Sequence, residues 1–400
     1  MRLRVLGLAC ALVAGLFTTG TASAAASFPR MDAATVDGFK MTAGQTFENY
    51  GARLAQLERN AQLKPRGLSE ILQTANRKAR PLCHGTYMAS ALKPAGFCWE
   101  DANDDKTNDW IPQGLTGSGD ASPTGKVDGK RVVAASWHTP GDTMVRLSFA
   151  DATALTYRHV LLVEPTSNTD FAVVTGHGHG MTWVDNRLYV ATAGGVIRVF
   201  DTSHFWKVDD SLGTVGLGSD GKYHAAFYDY ALPQIGAFWY PGGGCATAVG
   251  DRPCISTLSF DASSSSFVTA EHAAKEGGRV LRWPFDRAAA RLKTGPDGLA
   301  HASEGFLSPV WGVQGAVARN GYFVFTGVCP EYAADPTHDH PSCLHGGVGG
   351  VSTSRLTGQA PVNSQNLSYW PSTGELWLIN EQLRERVTVH VPWTTLTGRP

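Results

Sequence analysis

Five times along this chain a short phrase opens a run of β character: a polar residue, a small one, an apolar one and usually a hydroxyl residue. The copies are Gln113-Gly114-Leu115-Thr116, His179-Gly180-Met181-Thr182, Ser256-Thr257-Leu258-Ser259, Gln314-Gly315-Ala316-Val317 and Gln365-Asn366-Leu367-Ser368. Three of them continue through a turn into a second apolar run, over residues 183–190, 319–325 and 369–378. A unit recurring at intervals of 51 to 77 residues specifies an array of similar sheets, since one copy alone cannot bury its apolar face. In a β-propeller the innermost strand of each radial sheet lines a central axis. Phrases that open those strands would place Gln113, His179, Ser256, Gln314 and Gln365 around one axis. Five copies predict five blades, and the two widest intervals leave room for a sixth.

The remaining sequence agrees with an all-β fold. Glycine (45) and tryptophan (11) are abundant, as suits aromatic-rich short strands joined by tight turns. Short β-type runs occur at residues 132–137, 144–149, 158–164, 188–192, 196–201, 279–283 and 387–391, the last expected to close the ring. Val160-Leu161-Leu162-Val163 is apolar on both faces, which a strand between stacked blades requires. Helical periodicity is confined to residues 33–80. There Phe47, Tyr50, Leu54 and Leu57 form one stripe, and Leu68, Ile71, Leu72 and Ala75 form a second beyond Pro65. Two such helices are expected to pack on one face of the disc.

The N-terminus has the pattern of an export signal. Arg2 and Arg4 precede an apolar run over residues 5–17, and Ala22-Ser23-Ala24 offers a small-x-small cleavage site. The organisation expected is therefore a signal over residues 1–24, a helical segment over 25–82 and a propeller over 83–400. The run is too short for a permanent membrane span. Six cysteines follow Cys10, in three local pairs: Cys83 with Cys98, Cys245 with Cys254, and Cys329 with Cys343. An even count in an exported chain predicts disulfides, and sequential pairing closes three short loops. A formal charge of −1 with no basic stripe argues against nucleic acid. The chain is expected to be an extracellular monomer whose partner is a polar small molecule or glycan.

The stretch YRHVLLVEP at residues 157–165, GHGHGMTWVDNRLYVATAGGVIRVFD at 176–201 and NSQNLSYWPSTGELWLINE at 363–381 resemble a group of uncharacterised secreted actinobacterial proteins. Those proteins also carry a phrase like Pro112-Gln113-Gly114. The group is similar to β-propellers distantly of the gluconolactonase and strictosidine-synthase type. The resemblance covers most of residues 98–392 and implies the fold and export. It carries no catalytic signature and transfers no activity.

Several constellations could carry chemistry. In Gly176-His177-Gly178-His179-Gly180 two imidazoles two residues apart would face one way on a strand, as catalytic groups or ligands of one metal, while the glycines admit close approach. The Cys329–Cys343 loop holds Glu331, Asp335, His338, Asp339 and His340, with His345 beyond. His338 and His340 could bind a transition metal, or the loop could be a solvated wall of the site. Asp101, Asn103 and Asp105 have calcium-loop spacing, but Lys106 and Pro112 depart from the EF-hand pattern. Paired carboxylates for glycoside hydrolysis could come from Asp109, Asp120, Glu164, Glu304 and Glu381. A lyase could draw a base from His177, His179 or the Tyr157-Arg158-His159 run. The aromatics at 227–240 could stack on sugar rings or pack between blades. No serine-hydrolase elbow, P-loop or dinucleotide fingerprint is present.

The sequence therefore predicts an axial polar ligand site at Gln113, His179, Gln314 and Gln365, beneath the Cys329–Cys343 loop. Amides there can both donate to and accept from a polyol. A carbohydrate-binding or carbohydrate-processing propeller is the leading expectation. The alternatives are a Ca²⁺- or Zn²⁺-dependent lactonase-like hydrolase or polysaccharide lyase, and a non-catalytic protein-interaction propeller.

Overall fold

The computed structural model describes residues 25–42, 45–334, 340–355 and 359–400; the expected export signal lies outside them. From Ala95 onward the chain is a β-propeller of antiparallel four-stranded sheets. The first comprises Ile111–Gly117, Val132–His138, Val145–Asp151 and Thr156–Pro165. The second comprises Met181–Val184, Arg187–Thr192, Val196–Asp201 and Tyr230–Phe238. The third is Thr257–Asp261, Ser266–Ala270, Gly278–Asp286 and Glu304–Ser308. The fourth is Gly315–Arg319, Tyr322–Val328, Pro341–Val348 and Ser352–Arg355. The fifth runs Ser364–Trp370, Glu375–Asn380 and Val387–Pro392, and its outermost strand is Ala95–Cys98, far back in sequence. The final run thus closes the ring by pairing with a strand laid down before the first sheet. The two widest intervals hold excursions, Phe171–Val173 and a hairpin of Val215–Leu217 with Tyr223–Ala225.

Each sequence phrase opens an innermost strand, and its positions have separate duties. The third residues, Leu115, Met181, Leu258, Ala316 and Leu367, are buried, each in a different one of five apolar clusters between neighbouring sheets. The second residues meet at the axis. A Cβ on Gly114 would lie 2.5 Å from Ser136 Oγ, one on Gly180 2.2 Å from Leu258 N, and one on Gly315 2.6 Å from Gln365 O. Room therefore remains for the side chains of Thr257 and Asn366. Asn366 Nδ2 faces the carbonyls of Leu115 (2.9 Å), Met181 (3.2 Å) and Leu258 (3.3 Å), and Thr257 Oγ1 donates to its Oδ1 at 2.7 Å. Thr257 Oγ1 in turn accepts from Ala316 N at 2.9 Å. One amide links all five inner strands.

The outer strands of the first two sheets pair with each other in parallel over residues 161–163 and 231–233, and the helical segment packs against these sheets. Leu68, Ile71 and Leu72 of the helix Leu68–Gln73 join the cluster between the first and second sheets. Phe47 of the helix Gln45–Leu57 enters the next cluster against Phe238, while Leu54 and Leu57 cover Leu161 and Trp206. Val160, Leu161, Leu162 and Val163 are all fully buried, as a strand apolar on both faces should be. All three expected disulfides form: Cys83–Cys98, Cys245–Cys254 and Cys329–Cys343.

The seam between the fifth and first sheets is ionic. Asp104 and Asp105 are fully buried. Asp104 accepts from Arg146 Nη2 (2.6 Å), Tyr157 OH (2.5 Å) and His159 Nε2 (3.1 Å). Asp105 meets Arg80 (2.5 Å), His84 (2.7 Å) and the backbone N–H of Arg386 (2.9 Å). Burial alone would raise the pKa of Asp104, but His159 and Arg146 beside it more than offset that and hold it well below the usual carboxylate range. Tyr157, Arg158 and His159 are thus structural: Arg158 is paired with Asp229.

Two stability measurements test this account. Asn366→Ala should unpair the Thr257 hydroxyl and three carbonyls, costing on the order of 3–5 kcal/mol in urea unfolding; a loss within experimental error would refute the axial role. At the far end of the axis, the half-buried Asp120 accepts from Thr116 and Ser368, each at 2.7 Å. Burial pushes its pKa up to about 7 against those two donors. Because the unfolded value is ~3.9, the folded chain carries the extra proton between these values, so stability falls as pH rises through about 7. The urea midpoint should drop from pH 5 to pH 8, and Asp120→Asn should flatten that drop; an equal drop in both proteins would contradict the assignment.

Candidate functional site

The inner strands all begin at the same face of the disc, so the first residues of the phrases collect at one mouth. There a cavity of about 440 Å³ is lined by Ile111, His138, His177, His179, Ser256, His272, Gln314 and Glu381. A second lobe of about 210 Å³ shares His272 and Gln314 and adds Cys329, Tyr332, His340, Asn363 and Gln365. Four of the five expected residues therefore line this funnel. The fifth, Gln113, is buried beside it and donates through Nε2 to Glu381 Oε2, so its amide orients a carboxylate that faces the cavity.

The two sequence histidines reach the cavity from a loop rather than a strand, because the inner strand of the second sheet begins only at Met181. Gly176 (φ 125°) and Gly178 (φ 68°) adopt backbone angles that favour glycine. Ser136 Oγ donates to Gly178 O at 2.6 Å, and Ala191 N donates to Gly180 O at 2.7 Å, which pins the loop between two sheets. The His177 and His179 rings stack with centroids 4.4 Å apart. Burial, reinforced by His177 and His138, holds the His179 pKa down to about 3. At neutral pH this imidazole carries a lone pair and no charge.

Two further histidines were not legible as site residues. His138 is the last residue of the second strand of the first sheet, and that antiparallel strand ends where the inner strands begin. Its ring lies 3.8 Å from that of His177, centroid to centroid. His272 follows the corresponding strand of the third sheet. Only the register of second strands against inner ones could have predicted either. Burial and then His177 bring the pKa of His138 down to about 4, although Asp142 acts in the opposite sense.

The other candidates lie elsewhere. Asp101 is paired with Arg80 (2.7 Å) and Lys106 (2.6 Å), Asp105 is in the buried seam, and Asn103 donates its amide to Glu100. Oxygens spaced as in a calcium loop here receive protein cations. Among the described residues lining the axial cavity, Glu381 is the single carboxylate. Glu164 is held by Tyr50 and Arg198, Glu304 by Arg30 and Arg282, and Asp120 sits at the opposite end. The expected loop does wall the funnel: Cys329, Tyr332 and His340 line the second lobe, with Tyr332 and His340 stacked at 4.0 Å. Asp335, His338 and Asp339 lie outside the described residues. Tyr230, Phe238 and Tyr240 are packed inside, whereas Phe227 is 67% exposed.

Among the described residues no helix is long and apolar enough to cross a membrane. No protein-family model and no curated protein sequence matches the chain. Similar solved structures include a GH43_1 enzyme from Xanthomonas citri complexed with xylose, 9% identical, with 85% of this chain and 93% of that one covered at a TM-score of 0.36. A putative 6-phosphogluconolactonase from Bacteroides fragilis is 14% identical, covering 81% of each chain at 0.34. An exo-beta-1,3-galactanase from Phanerochaete chrysosporium is 11% identical, covering 73% and 66% at 0.37. Likeness this remote carries no argument about what the axial site does.

Proposed function

We propose that this is an exported propeller whose axial funnel binds a hydroxyl-rich ligand of the carbohydrate class. The observation that carries the reading is the convergence of Gln314, Ser256, the Gln113-oriented Glu381 and four imidazoles on one cavity. Amide, hydroxyl and carboxylate groups supply both donors and acceptors to neutral hydroxyls. A concave site with a few convergent polar groups is the usual form of a small-ligand pocket. The three disulfides and the sequence of the first 24 residues support action outside the cell.

The same observations weigh against His179 as a stand-alone general base. A base works best with a pKa near the working pH, and burial keeps this one near 3. Any acid–base chemistry in the funnel would then fall to Glu381 or to another of its imidazoles.

Titration calorimetry of the mature protein against neutral and uronate oligosaccharides tests the binding reading. Gln314→Ala should weaken the best ligand about tenfold, the effect of one neutral hydrogen bond. Phe227→Ala, on an exposed aromatic outside the funnel, should leave it unchanged. Loss of binding in Phe227→Ala alone would move the site to that surface. Failure of every oligosaccharide to bind the wild type would overturn the proposal.

A further inference from the structure

The second lobe of the funnel holds polar groups that the chain itself leaves unmatched. Gln365 lines this lobe and is 2% exposed, yet its side-chain amide has no hydrogen-bond partner among the described residues. Its backbone carbonyl, by contrast, accepts from Thr326 Oγ1 at 2.9 Å, which fixes the residue on its inner strand. Gln314 lines both lobes; its backbone N–H donates to Thr326 O at 3.2 Å, and its amide also has no partner among the described residues. Buried amides of this kind are uncommon, because they forfeit the hydrogen bonds they made to water. Neighbouring polar groups are engaged: Ser342 Oγ accepts from Ser364 N at 3.0 Å, and Asn363 Nδ2 donates to Gln382 Oε1 at 2.9 Å. Two amides are thus open to a ligand, one in the second lobe and one where the lobes join.

The same lobe has an aromatic wall held by a disulfide. Tyr332 ends the turn Pro330–Tyr332; its N–H donates to Cys329 O at 2.9 Å, and its hydroxyl accepts from Gln359 Nε2 at 3.2 Å. Its ring lies parallel to that of His340, within 7° and with centroids 4.0 Å apart. Each ring stands three residues from one half of the buried Cys329–Cys343 disulfide, so short tethers set the place of both. No Asp, Glu, Lys or Arg is among the described residues that line this lobe. Unmatched amides beside an aromatic pair, without fixed charge, complement a neutral sugar unit, which has hydroxyls on its rim and C–H groups on its faces.

We infer that the second lobe is a subsite for a neutral sugar unit, and that the ligand of the funnel is an oligosaccharide of at least two units, joined where Gln314 and His272 border both lobes. The inference rests on the axial reading and deepens it, from hydroxyl-rich ligands in general to a chain. Because the lobes share these two residues, one ligand can occupy both. A single ring in the axial lobe leaves the Gln365 amide and the Tyr332–His340 pair without a partner. A second unit tethered to the first reaches them at a high effective concentration. Loop residues already held in place add little ordering cost when it binds. A uronate unit there would bring a carboxylate to a lobe with no Arg or Lys to meet it, and an unpaired charge is costly to desolvate.

Titration calorimetry of the mature chain would use glucose, galactose, mannose and xylose, and their β-1,3-, β-1,4- and α-1,4-linked disaccharides. The best disaccharide should bind at least about tenfold more tightly than its own monosaccharide. Tyr332→Ala and Gln365→Leu should each remove most of that gain and leave the monosaccharide affinity within about twofold, since both side chains line the second lobe and not the axial one. Because the Gln365 amide has no partner among the described residues, Gln365→Leu should keep or raise the urea midpoint. That outcome separates loss of a ligand contact from loss of structure. Equal affinity for a monosaccharide and every disaccharide built from it, or a gain that survives in Gln365→Leu, would overturn the subsite and leave axial binding standing. Failure of every sugar in the panel to bind would overturn the axial reading and this inference with it.

Discussion

The Asn366 amide at the axis is the constraint on which the rest of the arrangement depends. Five inner strands converge where there is space for two short side chains, and three of the five second positions are glycines for that reason. Asn366 fills the space with the polar group the site requires, because each converging strand brings carbonyls and N–H groups that water cannot reach. Its contacts to Leu115, Met181 and Leu258, and through Thr257 to Ala316, fix the height of every inner strand along the axis. A slip of one residue in any strand would turn its apolar third position out of the inter-sheet cluster. Once the heights are fixed, the first residues of the phrases must emerge at one level. The funnel is a consequence of that register.

Closure of the ring relies on different chemistry. The outermost strand of the fifth sheet, Ala95–Cys98, is tied by Cys83–Cys98 on one side and followed at once by Asp104 and Asp105 on the other. Two buried carboxylates are tolerable only with charged partners in good geometry. Arg146 and His159 come from the first sheet, and Arg386 lies just before the last strand of the fifth. The acid cluster therefore joins first and last sheets through side chains, while the pairing of Ala95–Cys98 with Val387–Pro392 ties the two ends of the ring together through backbone within the fifth sheet. These partners account for the wealth of carboxylates in the segment.

The parts of this structure that repeat were legible in the sequence, and the parts that depend on where repeats meet were not. The phrases located all five inner strands, and the cysteine spacing located all three disulfides, because both are local patterns. The apolar stripes located the helices but not their place against the first two sheets, which depends on how the outer strands of those sheets meet. Asn366 reads in sequence as one more small polar residue, since only the convergence of five strands gives its amide four partners. The funnel was expected from first positions alone, so Gln314, Gln365, Ser256 and His179 were anticipated while His138 and His272 were not. Those two stand at the ends of second strands, and no periodicity within one strand reports the height at which its neighbour begins.

This origin from different strands gives the funnel two unlike walls. The imidazoles come from the first three sheets: His138 from the first, His177 and His179 from the lead-in to the second, and His272 from the third. The amides and the carboxylate come chiefly from the other side, Gln314 from the fourth sheet and Gln365 and Glu381 from the fifth, beneath the Cys329–Cys343 loop. Imidazoles offer ring nitrogens and an aromatic face, while amides are suited to hydroxyl groups. A ligand spanning the funnel would meet both at once, its hydroxyls against the amide wall and its most polarisable oxygen toward the histidines. Two walls of such different chemistry, held at fixed separation by the axial amide, can orient a ligand as well as bind it. Orientation of that kind is what a reactive site needs beyond affinity.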